Sequence, residues 1–143
     1  MHEDRIVGSL LGLAVGDALG TTVEFQARDS FSPVTDMVGG GVFRLAPGQW
    51  TDDTSMALCI AASLVETGAY DPCDQLARFL HWYRDGYLSS TGRCFDIGNQ
   101  TLTALGEFEA TGEPYRTAAG GMSAGNGSLM RLAPVAMAFC DDP

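Results

Sequence analysis

The chain has 143 residues, 45% of them hydrophobic, which is the size and composition of one domain with a core of its own. Against 18 acidic residues stand 8 Lys plus Arg, a formal charge of -10, so a nucleic-acid backbone or an anionic membrane surface would be repelled. Cys59, Cys73, Cys94 and Cys140 lie far apart with no C-x-x-C pair, which argues against a zinc knuckle or a disulfide framework and for reduced thiols in a cytoplasmic protein.

From Glu3 to Leu19 the apolar residues recur at helical spacing, and Gly8, Gly12 and Gly16 form a smooth ridge, which predicts a buried helix approached closely by another. Its apolar run from Ile6 to Leu19, broken by the glycines and by Asp17, falls short of a membrane span and carries no basic flank or cleavage site. A Gly- and Pro-containing stretch from Thr21 to Gln49 predicts a long loop, with a short hairpin around Val42 to Leu45. Helices are expected over Asp53 to Thr67, Pro72 to Arg84, Gly98 to Thr111 and Gly127 to Phe139, with Gly68, Gly86 and Gly112 as stops. Strand signals are scarce, so the class is all-α. The final apolar stretch, "APVAMAFCDDP", needs a partner that little remaining chain can provide.

The chemistry concentrates where glycines meet acids. In "PGQWTDDTSMAL", Asp52 and Asp53 sit at a helix start between Thr51 and Thr54. Thr51 or Asp52 can cap the helix while Asp53 complements its positive end. Alone, the motif favours that capping role; against it, two carboxylates and a hydroxyl offer hard oxygen ligands to a divalent cation that wants about six of them, which makes the motif at best half a metal site. In "GLAVGDALGTTVEF", Asp17 interrupts the apolar helix and suits a buried structural hydrogen bond, while Glu24, flanked by apolar residues on the loop, suits a functional acid. In "CFDIGNQT", Asp96 precedes a helix start, where capping and acid/base work are both open to it. In "SAGNGSLMR", Gly125, Asn126, Gly127 and Ser128 open the last helix, where free N–H groups suit a phosphate, although a flexible helix start explains the glycines as well.

Taken together and in register, "DRIVGSLLGLAVGDALGTTVEF", "GGGVFRLAPGQWTDDTSMAL", "FDIGNQT" and "AGNGSLMRLAP" resemble the N-terminal half of the ADP-ribosylglycohydrolase family, especially its ADP-ribosylarginine hydrolases of the dinitrogenase-reductase-activating type. The resemblance covers essentially the whole chain and implies an all-α orthogonal helical bundle around two Mg²⁺ or Mn²⁺ ions. It implies metal ligands at Thr51, Asp52 and Asp53, a catalytic acid/base at Asp96, a gating or catalytic carboxylate at Glu24, and an ADP-ribose pocket at Gly125, Asn126, Gly127 and Ser128. Its substrate would be an ADP-ribosylated protein or ADP-ribose.

The family's C-terminal half carries a D-x-D-T motif that completes the metal site, and no such motif occurs in these residues. Residues 1–143 are therefore expected to be the N-terminal part of one domain, apparently truncated, that lacks its C-terminal metal ligands. A chain paired with a separate second half, or one that has lost catalysis, are the other two explanations. The competing functions are a non-catalytic ADP-ribose-binding module and a purely structural relative.

Overall fold

In the computed structural model, which describes residues 2–115 and 125–140, helices dominate and no strand occurs among the described residues. The all-α class expected from the sequence is the one observed. Helix α1 (His2–Gly20) runs into a single 3-10 turn (Thr21–Val23), and a long loop then leads to α2 (Asp52–Thr67). After it come α3 (Pro72–Asp85), α4 (Asn99–Thr111), α5 (Gly127–Met130) and α6 (Ala133–Ala138).

Local chemistry explains most of these limits. Pro72 opens α3 at a position whose N–H would be unpaired anyway, and Asp71 caps the helix by accepting from the N–H groups of Cys73 and Asp74, both at 3.0 Å. Gly68, Gly86 and Gly112 end α2, α3 and α4 in the left-handed conformation, as expected. Gly86 is required twice over, because a Cβ there would also collide with the Gly92 carbonyl.

Buried Met56, Cys59 and Ile60 of α2, Phe79 and Trp82 of α3 and Leu105 of α4 form the core, against which Met130 and Val135 of the short C-terminal helices pack. Arg78 of α3 ties this layer together, pairing with Asp74 one turn back and with Glu66 near the end of α2 at 2.9 Å. Arg84 pairs with Glu109 and joins α3 to α4.

Three sequence expectations change. The helix expected over Gly127 to Phe139 is split at Arg131 and Leu132, because Pro134 has no N–H to bond the Met130 carbonyl and instead sits in the first turn of a new helix, where no such bond is needed. The hairpin around Val42 to Leu45 is a single antiparallel bridge, Gly40 with Leu45, closing one tight turn. Most consequentially, α1 is not the buried helix its period suggested. Val7, Leu11 and Val15 are exposed, and a Cβ added at Gly8, Gly12 or Gly16 would meet nothing within 4 Å. The ridge is present, but among the described residues nothing packs on it. Read through the following turn, Glu3–Val23 has 21 residues and a mean hydropathy of 1.6, long and apolar enough by length and composition to cross a membrane, contrary to the shorter run counted from sequence. Asp17 inside that stretch is committed to α2.

Candidate functional site

The start of α2 is organised by Asp17, which lies 34 residues earlier in the chain. Its carboxylate accepts from the Thr51 N–H at 3.0 Å, the Thr51 hydroxyl at 2.8 Å, the Thr54 N–H at 3.1 Å and the Thr54 hydroxyl at 2.6 Å. Thr51 occupies the N-cap position, yet its own side chain makes no capping hydrogen bond. Capping by Thr51 or Asp52 is therefore replaced by capping from α1, and Asp52 and Asp53 are released from that duty. The loop before them is pinned as well: the Trp50 carbonyl accepts from the Ser90 hydroxyl at 2.6 Å, and the Gln49 amide donates to the Ser90 carbonyl at 3.0 Å. These contacts hold the start of α2 against the 88–96 loop that carries Asp96.

Glu24 arrives from the other side. It follows the 3-10 turn, with the Thr21 hydroxyl donating to it at 3.4 Å. The turn is braced where Gly41, at φ 66°, lies so close to the Thr21 carbonyl that no side chain fits between them. Asp96 has φ 58°, a left-handed backbone that a short acidic residue tolerates better than most.

Carboxylates this close and this dry repel one another. Burial, then repulsion from Asp96 and Asp53, pushes Asp52 up to about 8, and burial, then repulsion from Glu24 and Asp53, pushes Asp96 up to about 7. Asp53 and Glu24 are raised too, in each case first by burial. The Glu24 and Asp96 side chains also interact with each other, which adds to the rise at Asp96 and offsets part of the rise at Glu24. Arg131 stands near Asp52, but it is half-buried, lies over the Phe79 ring at 5.0 Å, and is itself held below the usual arginine range by that burial.

Hard oxygen donors with uncompensated charge are the chemistry that a hard divalent cation relieves, so Thr51, Asp52 and Asp53 fit such an ion by type. They do not complete its shell: among the described residues no three Asp, Glu, His or Cys side chains are arranged to hold a metal by themselves.

A cavity of about 560 Å³ brings most of the expected residues together. Glu24, Asp52, Asp53 and Asp96 line one part, and Gly125, Asn126 and Gly127 line another. Thr51 faces a neighbouring cavity of about 500 Å³ that shares Glu24 and Asp53 with the first. Ser128 is exposed and lines neither. Because α5 is one turn long, the helix dipole invoked for a phosphate at Gly125 to Ser128 is that of a single turn, much weaker than a long helix would supply. Sequence reasoning did not single out Asn99, Gln100 and Thr101 at the start of α4, or Phe25, as cavity residues. Each stood inside a stretch already marked for its acid, and polar side chains at a helix start after Gly98 were the available signal.

The profile of the ADP-ribosylglycohydrolase family matches residues 1–143. The chain is 53% identical over 134 residues to the ADP-ribosylarginine hydrolase Tri1 of Pseudomonas putida, covering 94% of this chain and 36% of that protein. It is 38% identical to the ADP-ribosyl-[dinitrogen reductase] glycohydrolase of Rhodospirillum rubrum, covering 99% of this chain and 47% of that protein. A solved structure described as an ADP-ribosylglycohydrolase-related protein complex superposes with a TM-score of 0.83 at 48% identity, covering 99% of this chain and 45% of that one. The chain thus spans between about a third and a half of the length of these relatives. It belongs to the ADP-ribosylglycohydrolase family.

Proposed function

We propose that the chain is the N-terminal part of a single-domain, metal-dependent hydrolase of the cytoplasm that removes ADP-ribose from modified protein side chains, the N-glycosidic bond to arginine being the favoured linkage. The observation that carries this reading is the meeting of Glu24, Asp52, Asp53 and Asp96 with the Gly125 to Gly127 segment in one cavity. Relatives named as ADP-ribosylarginine hydrolases, at 49% and 53% identity, support the choice of linkage.

Cleavage at the ribose anomeric carbon builds positive charge on the sugar, while water loses a proton and the departing guanidine gains one. Asp96, pushed up to about 7 first by burial and then by the neighbouring Glu24 charge, is matched to exchange a proton at neutral pH. Thr51, Asp52 and Asp53 would hold Mg²⁺ or Mn²⁺, which would neutralise the carboxylates, orient the ribose hydroxyls and polarise the water. Gly125, Asn126 and Gly127 would bind the ADP-ribose in the cavity through backbone N–H groups and the exposed Asn126 side chain, with Ser128 next to them in the chain.

The test is release of ADP-ribose from an ADP-ribosyl-arginine peptide with Mn²⁺. The expected result is no turnover by residues 1–143 alone and metal-dependent turnover once they are joined to the C-terminal half of a matched relative. Failure of the joined protein to hydrolyse while it still binds ADP-ribose would favour the non-catalytic binding module.

A further inference from the structure

We propose that Phe25, backed by Phe43 and Phe95, forms an aromatic rim that seats a planar cation, the guanidinium of the arginine acceptor, at the cavity that Phe25 lines together with the carboxylates; this rests on the hydrolase reading above. The three rings form a chain. Phe25 and Phe43 meet edge to face with centroids 6.3 Å apart, and Phe43 and Phe95 do so at 5.3 Å. Both outer rings are joined by one peptide bond to a site carboxylate, Phe25 to Glu24 and Phe95 to Asp96.

Phe25 is the telling member. It is 78% exposed, although a ring of that size gains more by burial than most side chains, and it lines the cavity together with Glu24, Asp52, Asp53 and Asp96. Its φ of 61° is one that a residue with a Cβ rarely adopts, so the surrounding loop holds it there against its own preference.

An aromatic face beside carboxylates suits one ligand chemistry above others. Guanidinium is planar, weakly hydrated and positive, stacks on rings, and pairs bidentately with carboxylates. Arg131 lies over a different ring, Phe79 in the core. A neutral hydroxyl acceptor such as serine would gain nothing from the rim, so the rim favours arginine-linked over serine-linked ADP-ribose.

The experiment titrates the protein by calorimetry with agmatine as the guanidinium probe, with butylammonium as a non-planar cation, and with ADP-ribose. It uses the unaltered protein, Phe25→Ala and Phe25→Trp, and the exposure of Phe25 keeps both variants foldable. Agmatine affinity is expected to fall about three- to fivefold in Phe25→Ala and to be kept in Phe25→Trp, with butylammonium weaker throughout and ADP-ribose changed less than about twofold. Equal agmatine affinity in the unaltered protein and Phe25→Ala, or no agmatine binding at all, overturns the rim. If ADP-ribose still binds in that case, the hydrolase reading stands without it. If agmatine follows the expected pattern while ADP-ribose fails to bind even the protein joined to a relative's C-terminal half, the rim stands and the hydrolase reading falls.

Discussion

The Asp17 carboxylate of α1 accepts the Thr54 hydroxyl of α2 at 2.6 Å, and through the same carboxylate it also holds the Thr54 N–H and both donors of Thr51. One side chain thus caps a helix from another helix and leaves the cap's own carboxylates to face a cavity. Asp17→Ala is expected to destabilise the protein by about 2–3 kcal/mol, because buried N–H and hydroxyl donors lose a charged acceptor. Asp17→Asn should fall in between, since an amide keeps one acceptor oxygen. Urea denaturation midpoints measure both, and a loss below about 0.5 kcal/mol for the alanine variant would remove Asp17 from this role.

Replacing Asp52 and Asp53 with alanine separates ligands from caps. Since Asp17 does the capping, the double variant should fold without metal at least as stably as the parent, relieved of repulsion, and should lose Mn²⁺ binding in calorimetry of the joined, longer protein. A cap role would instead show as a loss of about 1 kcal/mol in the absence of metal.

Turnover is the readout for Asp96. In the joined enzyme Asp96→Asn should preserve ADP-ribose binding, since the shape is kept, and lower hydrolysis roughly 10²-fold or more. Near-normal hydrolysis would move the proton transfer to Glu24.

The raised carboxyls also make stability depend on pH with a definite sign. Asp52 and Asp96 bind protons up to about 8 and about 7 in the folded chain, against 3.8 for the free groups, so over that interval the folded state holds more protons than the unfolded one. Their stabilising protonation is fully present below pH 3.8 and is lost as pH rises through 7 to 8. Without metal, the melting temperature should therefore fall between pH 5.5 and pH 8.5, windows set by those two groups. Adding Mn²⁺ should flatten the decline, because a cation replaces the protons, and a melting temperature that rises with pH in metal-free buffer would contradict the assignment.

Exposed Val7, Leu11 and Val15 on α1, with Leu129, Leu132 and Phe139 near the C-terminal end, give residues 1–143 apolar surface without cover among the described residues. Sedimentation of the purified chain should show self-association that Val7→Glu with Leu11→Glu reduces. A strictly monomeric parent at tens of micromolar would show that these faces do not drive association.

Period and punctuation alone located the four long helices, because helical spacing, Pro72, Asp71 and the glycine stops act through neighbours within a turn. The break before Pro134 is equally local, and the preference of proline for the first turn of a helix would have found it. The acids that line the cavity were legible too, since a carboxylate among glycines and apolar residues has few structural uses. What the tertiary structure decided is which carboxylate does which job. No spacing rule connects Asp17 with Thr51 and Thr54 across 34 and 37 residues, and without that contact Asp52 remains as good a cap as a ligand. The same holds for the glycine ridge of α1: a smooth face makes close approach possible, but whether a partner lies against it depends on what else folds nearby. The aromatic rim is likewise invisible in sequence, because Phe25, Phe43 and Phe95 share a surface only after two strained loops bring their rings together.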